Sequence, residues 1–203
     1  LITIVDYGMG NLGSIRNMLK KIGVDSEVTA DTRMIAAASK LILPGVGAFD
    51  AGMDNLERSG LIPLLNERVL KARVPTLGIC LGMHLMTRRS DEGRRMGLGW
   101  VDAEALRFRP ADAALKVPHM GWNLVTPTRT SALVDGLPPD PRFYFVHSYF
   151  IRCQRDEDVL LTTMYGESFH SAFHFANVWG VQFHPEKSHK FGMHLLRNFA
   201  ERC

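Results

Sequence analysis

The sequence predicts an α/β domain with a largely parallel central sheet flanked by helices and an additional antiparallel strand region in its second half. Three observations carry that prediction. Short apolar runs alternate with helix-patterned segments in the first half, and several of those runs end in glycine-rich turns where a strand would hand over to a helix. The second half is dense in strand-like segments with little room for helices between them. At 203 residues the chain can bury a continuous core, and no repeat, low-complexity segment or linker divides it, so one domain over residues 1–203 is expected.

Taken in order, Ile2–Val5 reads as the first strand, followed by Gly8-Met-Gly10-Asn-Leu-Gly13 and a helix over residues 11–22. That spacing matches G-x-G-x-x-G, and Asp31 falls about 20 residues on, where a ribose-binding acid would stand. Two readings are open at this point: a dinucleotide phosphate loop, or a tight strand-to-helix turn that needs glycine for its positive φ. Strands follow at Ser26–Thr29 and residues 40–43. Over residues 52–73, Met53, Leu56, Leu61, Leu64, Leu65 and Val69 suit one or two helices broken near Gly60 and Pro63. Thr76–Ile79 is a short buried strand. Residues 101–108, 142–151, 159–164, 168–175 and 178–183 read as strands, some of which must pair antiparallel in a mixed sheet or a second small one. A turn-rich loop covers 137–141, and a last helix carries Phe191, Leu195, Leu196 and Phe199 on one stripe.

Composition narrows the function classes. The three cysteines, Cys80, Cys153 and Cys203, are scattered and form neither a disulfide framework nor a zinc-ligand cluster, so a reducing, cytoplasmic setting and no metal are expected. No apolar run is long enough to span a bilayer, and the first residues go straight into a strand pattern without the basic flank of a leader, so neither membrane nor export is expected. A net charge of +3, with basic pairs dispersed among acids, argues against nucleic acid as a partner.

The chemistry concentrates in three stretches. "TLGICLGMHLM" places Cys80 between Gly78 and Gly82, after a strand and before a helix. This is the arrangement of a nucleophile elbow, in which the backbone N–H of Leu81 and a helix N-terminus lie beside the sulfur. The competing reading is a small buried hydrophobe, the usual state of free cysteine. "GVQFHPEKS" ends a strand-like run in His184-Pro185-Glu186. The residue before proline is driven into extended backbone, so His184 and Glu186 are expected to project to one side, as a base and its orienter. "LILPGVGAF" ends another strand in Pro44-Gly45-Val46-Gly47, whose glycines let a backbone N–H turn toward a neighbouring reaction centre.

With these three in order, the chain resembles the class I glutamine amidotransferases. "DYGMGNLGS", "LPGVGAF", "GICLGM", "VPHMGWN", "YFVHSY" and "GVQFHPEKS" extend the match over essentially the whole chain, to the family's glutaminase subunits that serve a separate (β/α)8 cyclase in histidine biosynthesis. The resemblance implies the fold of that family and no cofactor. It assigns Cys80, His184 and Glu186 as the triad hydrolysing L-glutamine to glutamate and ammonia, and the N–H groups of Leu81 and of the Gly45–Val46 peptide as the oxyanion hole. Gly47, His84, Glu92, Ser148 and Tyr149 fall on its substrate contacts. Asn11, Pro118, Met120, Trp122, Tyr144 and Lys187 fall on the surface that meets the cyclase in a heterodimer, across which ammonia passes. On this reading the Gly8 to Gly13 turn faces the partner and binds no dinucleotide. For Trp122 and Tyr144, core packing is the competing reading.

Two places depart from the family pattern. His84 stands where glutamine is usual, and imidazole cannot offer an amide's paired donor and acceptor, which opens the alternative of a catalytically silent binding subunit. Phe173-His174-Phe175-Ala176 is more aromatic than the family's turn before the last strand. Similar subunits also serve surface-polysaccharide pathways, where the ammonia would go to a sugar, so the acceptor has two readings.

Overall fold

In the computed structural model, which describes residues 1–112 and 114–203, the first strand β1 (Ile2–Val5) is buried along its whole length between two parallel neighbours. These are β2 (Ser26–Thr29) and β3 (Leu41–Leu43), reached through α1 (Leu12–Lys21) and α2 (Thr32–Ala37). Helix α2 was not expected. Its signal is Asp31, which caps it by accepting from Arg33 N at 2.8 Å. The acid that spacing offered to a ribose is therefore a helix cap. Gly8 and Gly10 have φ of +83° and +112°, whereas a Cβ on Gly13 would meet nothing within 4 Å. The first two glycines make the turn, and the third has none of the close packing a dinucleotide fold asks of it.

The expected helical stretch 52–73 divides into α3 (Phe49–Arg58) and α4 (Ile62–Asn66), the latter running on into a π turn at Glu67–Lys71. Gly60, at φ +69°, makes the break. Pro63 does not: it sits in the first turn of α4, where its missing N–H has no intrahelical acceptor to lose. Then come β4 (Thr76–Ile79), α5 (Leu81–Leu85), β5 (Arg89–Ser90), β6 (Ala103–Arg107), β7 (His119–Leu124) and β8 (Thr126–Pro127). Past β8 lie β9 (Arg142–His147), β10 (Tyr149–Cys153), β11 (Val159–Tyr165), β12 (Glu167–Phe175), β13 (Val178–Val181) and α6 (His189–Arg202).

The main sheet runs β2-β1-β3-β4-β13-β12-β10-β6-β5, with β11 on β12 and β8 on β11. It is parallel from β2 through β13 and turns antiparallel at β12. Two differences from the expected strands matter for the site. The stretch 142–151 is two strands, because the chain changes sheets at Ser148: β9 pairs with β7 in a separate two-stranded sheet, and β10 pairs with β6 and β12. Strand β7 itself was unforeseen: its alternation is inverted, with the apolar Met120, Trp122 and Leu124 outward and His119, Gly121 and Asn123 on the more buried face.

The sheet separates two buried layers, one under α2–α5 around Phe49, Leu56 and Met83, the other under α1 and α6 around Ile15, Phe143, Phe183 and Phe199. The aromatic turn before β13 finds its reason here. Phe173 is in the core, His174 stacks on Trp179 at 4.4 Å and donates from Nε2 to the Ala176 carbonyl at 2.8 Å, and Phe175 lies under Arg155. That hydrogen bond braces a non-glycine residue, Ala176, at φ +52°. Among the described residues no helix is long and apolar enough to cross a membrane.

Candidate active site

Strands β1, β3, β4 and β13 are parallel neighbours and release their chains at one edge of the sheet, where open α/β sheets place their ligand sites. Cys80 follows β4 there with φ +52° and ψ −112°, a conformation that costs a non-glycine residue about 1–3 kcal/mol. The strain is borne by the neighbours. Cys80 N donates to Val181 O at 2.8 Å. A Cβ on Gly82 would lie 1.8 Å from Leu43 O, and one on Gly78 would lie 2.9 Å from backbone atoms of Met83. The two glycines are there for space, and the unusual φ belongs to the cysteine alone.

His184 comes off β13 in extended backbone, as the following proline requires. Glu186 reaches it by a different route from the expected strand alternation: Pro185–Lys187 is a 3-10 turn, and that turn brings Glu186 Oε1 to 2.8 Å from His184 Nδ1. Both side chains are buried, about 1% exposed. Ser188 fixes the assembly by donating to His184 O (2.6 Å) and accepting from Tyr144 N (3.0 Å), while His184 N donates to Tyr144 O (2.9 Å). His184 Nε2 is buried without a hydrogen-bond partner and lies against Cys80. Burial opposes the imidazolium, but the Cys80 and Glu186 side chains on its two nitrogens outweigh it, and the pKa rises to about 10.

The cleft over Cys80 has a volume of about 370 Å³ and is lined by Val46, Gly47, Leu81, His84, Glu92, Pro118, Ser148 and Tyr149 together with Cys80 and His184. Every residue expected to touch substrate is thus on one cavity, joined by Pro118, which was expected on the partner surface. Glu92 accepts from Phe49 N at 2.9 Å, and His84 is turned inward with Nε2 at 2.7 Å from Gln182 Oε1. Burial lowers the His84 pKa to about 4, so the ring is neutral near neutrality.

The expected oxyanion donors are engaged differently. Leu81 N donates to Gly45 O at 3.3 Å, so the trans peptide between Gly45 and Val46 aims its carbonyl at the elbow and its N–H away. Tyr7, from the end of β1, holds the loop from beneath by donating to Pro44 O at 2.6 Å.

On the far wall a directed chain of hydrogen bonds runs through buried side chains. His147 Nδ1 donates to Tyr149 O (2.7 Å), its Nε2 accepts from His119 Nδ1 (2.9 Å), and His119 Nε2 accepts from Asn123 Nδ2 (3.2 Å). The His119 ring is stacked between Phe145 and Tyr165. The other residues expected at a partner form a surface beside the cleft: Met120 is 61% and Trp122 45% exposed, Trp122 stacks on His189, and Lys187 covers Tyr144. Trp122 is therefore a surface residue and no part of the core. Asn11 stands at the start of α1, which packs on the Pro185–Lys187 turn. Gln182, Tyr7, Ser188 and the His119–His147 pair were not foreseen. The one signal was Gln182, a lone amide inside the apolar run before His184. Among the described residues no group of three or more His, Cys, Asp or Glu could hold a metal ion.

The family model described as glutamine amidotransferase class-I matches residues 3–203. Over all of both chains, this one is 52% identical to "Imidazole glycerol phosphate synthase subunit HisH 2" of Methanococcus maripaludis, and it is 49% identical to the protein of that name in Pseudomonas aeruginosa over 99% of each. In fold it is similar to a crystal structure of a glutamine amidotransferase (TM-score 0.74, 19% identity, covering 98% of this chain and 97% of the other). It is likewise similar to a glutamine amidotransferase from Thermotoga maritima (TM-score 0.71, 17% identity, 99% and 96% covered). A strained cysteine between two glycines that nothing larger could replace, facing a carboxylate-backed histidine, is what the sequence led us to expect of one family, and the full-length matches settle which: the chain belongs to the class I glutamine amidotransferases.

Proposed function

We propose that the chain is a cytoplasmic glutaminase subunit that hydrolyses L-glutamine at Cys80 and passes the ammonia to a separate (β/α)8 cyclase, as in an imidazole glycerol phosphate synthase. The observation that carries the reading is the unpartnered Nε2 of His184 against Cys80, with Glu186 on the other ring nitrogen.

Cys80 sulfur attacks the substrate carboxamide carbon. Glu186 holds the His184 ring with Nε2 toward the reacting atoms, and the raised basicity of His184 keeps a proton there to give to the leaving nitrogen, which departs as ammonia. Neutral His184 then takes a proton from water as the water oxygen attacks the thioester, and the C–S bond breaks to release glutamate and leave the Cys80 thiolate beside the reprotonated His184, the pair that began the cycle. Stabilising the intermediate requires the peptide between Gly45 and Val46 to turn over, which frees Leu81 N–H and brings in Val46 N–H. Glycine on each side of Val46 leaves that rotation open, and Gly47 is already at φ +115°.

Ser148, Tyr149, Glu92 and Gly47 bind the amino-acid end of glutamine in the cleft, with His84 at its inner wall. The cyclase docks on the surface around Met120, Trp122, Tyr144 and Lys187, and the Pro118 edge of the cleft makes a short path for ammonia. Relatives named as subunits of imidazole glycerol phosphate synthase favour this acceptor over a polysaccharide sugar.

Replacing Cys80 by alanine tests the reading. With the cyclase partner present, glutamine hydrolysis should vanish while cyclisation from added ammonia persists. Hydrolysis within about tenfold of wild type would remove Cys80 from the chemistry.

A further inference from the structure

Gln182 is fully buried immediately behind the nucleophile, and its carboxamide touches two groups. Its Oε1 lies 2.7 Å from His84 Nε2, and its Nε2 lies 4.0 Å from Cys80 Sγ, within the longer reach of a hydrogen bond to sulfur. Its backbone is tied to β12 through Gln182 N and Ser171 O at 2.9 Å, and His84 is tied to the elbow through His84 N and Cys80 O at 3.3 Å. Only the rotation of the amide is left to be decided. A carboxamide can present either its oxygen or its NH2 to the sulfur, and the two choices act oppositely on a negative charge there.

We propose that His84 is a positioning residue: its Nε2–H locks the Gln182 carboxamide with the oxygen toward the histidine, so that the NH2 donates to the Cys80 sulfur. Oxygen on the histidine side requires the Nε2–H tautomer of His84. The ring also stays neutral near pH 7, since burial lowers its pKa to about 4, so it steers the amide without setting a second imidazolium beside His184. Seen this way, the departure from glutamine at position 84 is no loss of function. Imidazole Nε2–H and a glutamine side-chain NH2 can both donate to the same oxygen, and an apolar side chain cannot.

The proposal rests on Cys80 being the nucleophile, and the experiment reads the sulfur directly so that the two can fail separately. Alkylation of Cys80 by iodoacetamide is followed by mass spectrometry, resolved from Cys153 and Cys203, between pH 5.5 and 9 on the full chain. The other polar neighbours of the sulfur and cleft, Tyr7, Glu92, His147, His184 and Glu186, are the same in every variant. In H84L the rate at pH 6.5 should fall about threefold with an unchanged plateau at high pH, a shift of about half a pH unit. Q182L should shift equally, the double variant no further, and H84Q should keep the wild-type profile. A wild-type profile in H84L, additive shifts in the double variant, or an H84Q profile as shifted as that of H84L each overturn the proposal. If H84L fails to fold because it orphans the Gln182 oxygen, the tautomer of His84 in 15N-labelled wild type decides by NMR: Nε2–H supports the lock, and Nδ1–H, which could hold the amide only by its NH2, rejects it. A shifted profile together with an active Cys80→Ala enzyme would leave the contact to the sulfur standing and remove Cys80 as the nucleophile.

Discussion

On one wall of the cleft the elbow and the 44–47 loop hold their shape through the backbone, and on the other β7, β9 and β10 hold theirs through side chains. The elbow wall is set by a strained Cys80, by two glycines with no room for a methyl group and by main-chain hydrogen bonds to β13 and Gly45. The far wall is set by the Asn123, His119 and His147 chain and by stacked rings. Backbone definition places a nucleophile to within a fraction of an ångström but tolerates no added volume. Side-chain definition tolerates volume changes at its exposed face, where Met120 and Trp122 stand, but depends on every donor and acceptor keeping its protonation state.

The harshest way to break the elbow wall is Gly82→Ala. Its Cβ would overlap Leu43 O at 1.8 Å; Leu43 ends β3 and Gly82 sits in the first turn of α5, so neither can move cheaply. Loss of about 3 kcal/mol or more is expected, together with loss of glutaminase activity. A thermal midpoint within a few degrees of wild type would show that the elbow has slack the geometry denies. The far wall offers the control: Met120→Ala, at an exposed position, should leave the midpoint of the isolated chain almost unmoved.

Where the walls meet, His184 and Glu186 separate chemistry from orientation. His184→Ala removes the group that carries the proton, so kcat should fall by roughly 10²-fold or more. Glu186→Ala leaves a ring still backed by the Pro185–Lys187 turn and by Ser188, so a smaller fall is expected. Equal, small effects in both would mark the pair as structural.

The elbow wall was legible in the sequence because it is local. Strand, glycine, cysteine, glycine and helix follow one another in "TLGICLGMHLM", and that order alone marks the turn, although the atoms that leave Gly82 no room belong to Leu43. The far wall was not, because its contacts join distant segments: His119 and His147 meet only as cross-strand partners of β7 and β9, 28 residues apart in the chain. The run of apolar and aromatic residues on both sides of His147 and Ser148 conceals the change of sheet at Ser148, since either strand reads as the continuation of the other. Glu186 was expected beside His184, yet the reason was a 3-10 turn, which alternation along a strand does not describe. The peptide between Gly45 and Val46 was expected at the elbow too, and which end of it faces Leu81 is a rotation that residue types leave free.

The smallest expected effect is also the one that reads both walls in a single titration. Burial lowers the pKa of His119 and His84 to about 4, and that of His147 well below the ordinary value of 6.5. Between pH 6.5 and 4 the unfolded chain therefore binds protons that the folded chain refuses, so stability falls as pH drops through that window, by at most about 1.4 kcal/mol per pH unit for each histidine. His184 has the opposite sign. Its pKa is raised to about 10, so its contribution is full below 6.5 and is lost as pH climbs toward 10. Acid should thus loosen the far wall through His119 and His147 and the elbow side through His84, whereas alkali should loosen the catalytic seam. His119→Asn keeps a donor where Nδ1 stands but removes one of the five histidines whose pKa burial lowers, the others being His84, His147, His170 and His174, so the acid slope of the thermal midpoint should shrink by about a fifth and the alkaline slope should not move. An acid slope unchanged in that variant would mean that the His119 and His147 pair takes up protons before the wall opens, and that the side-chain wall is softer than its hydrogen bonds indicate.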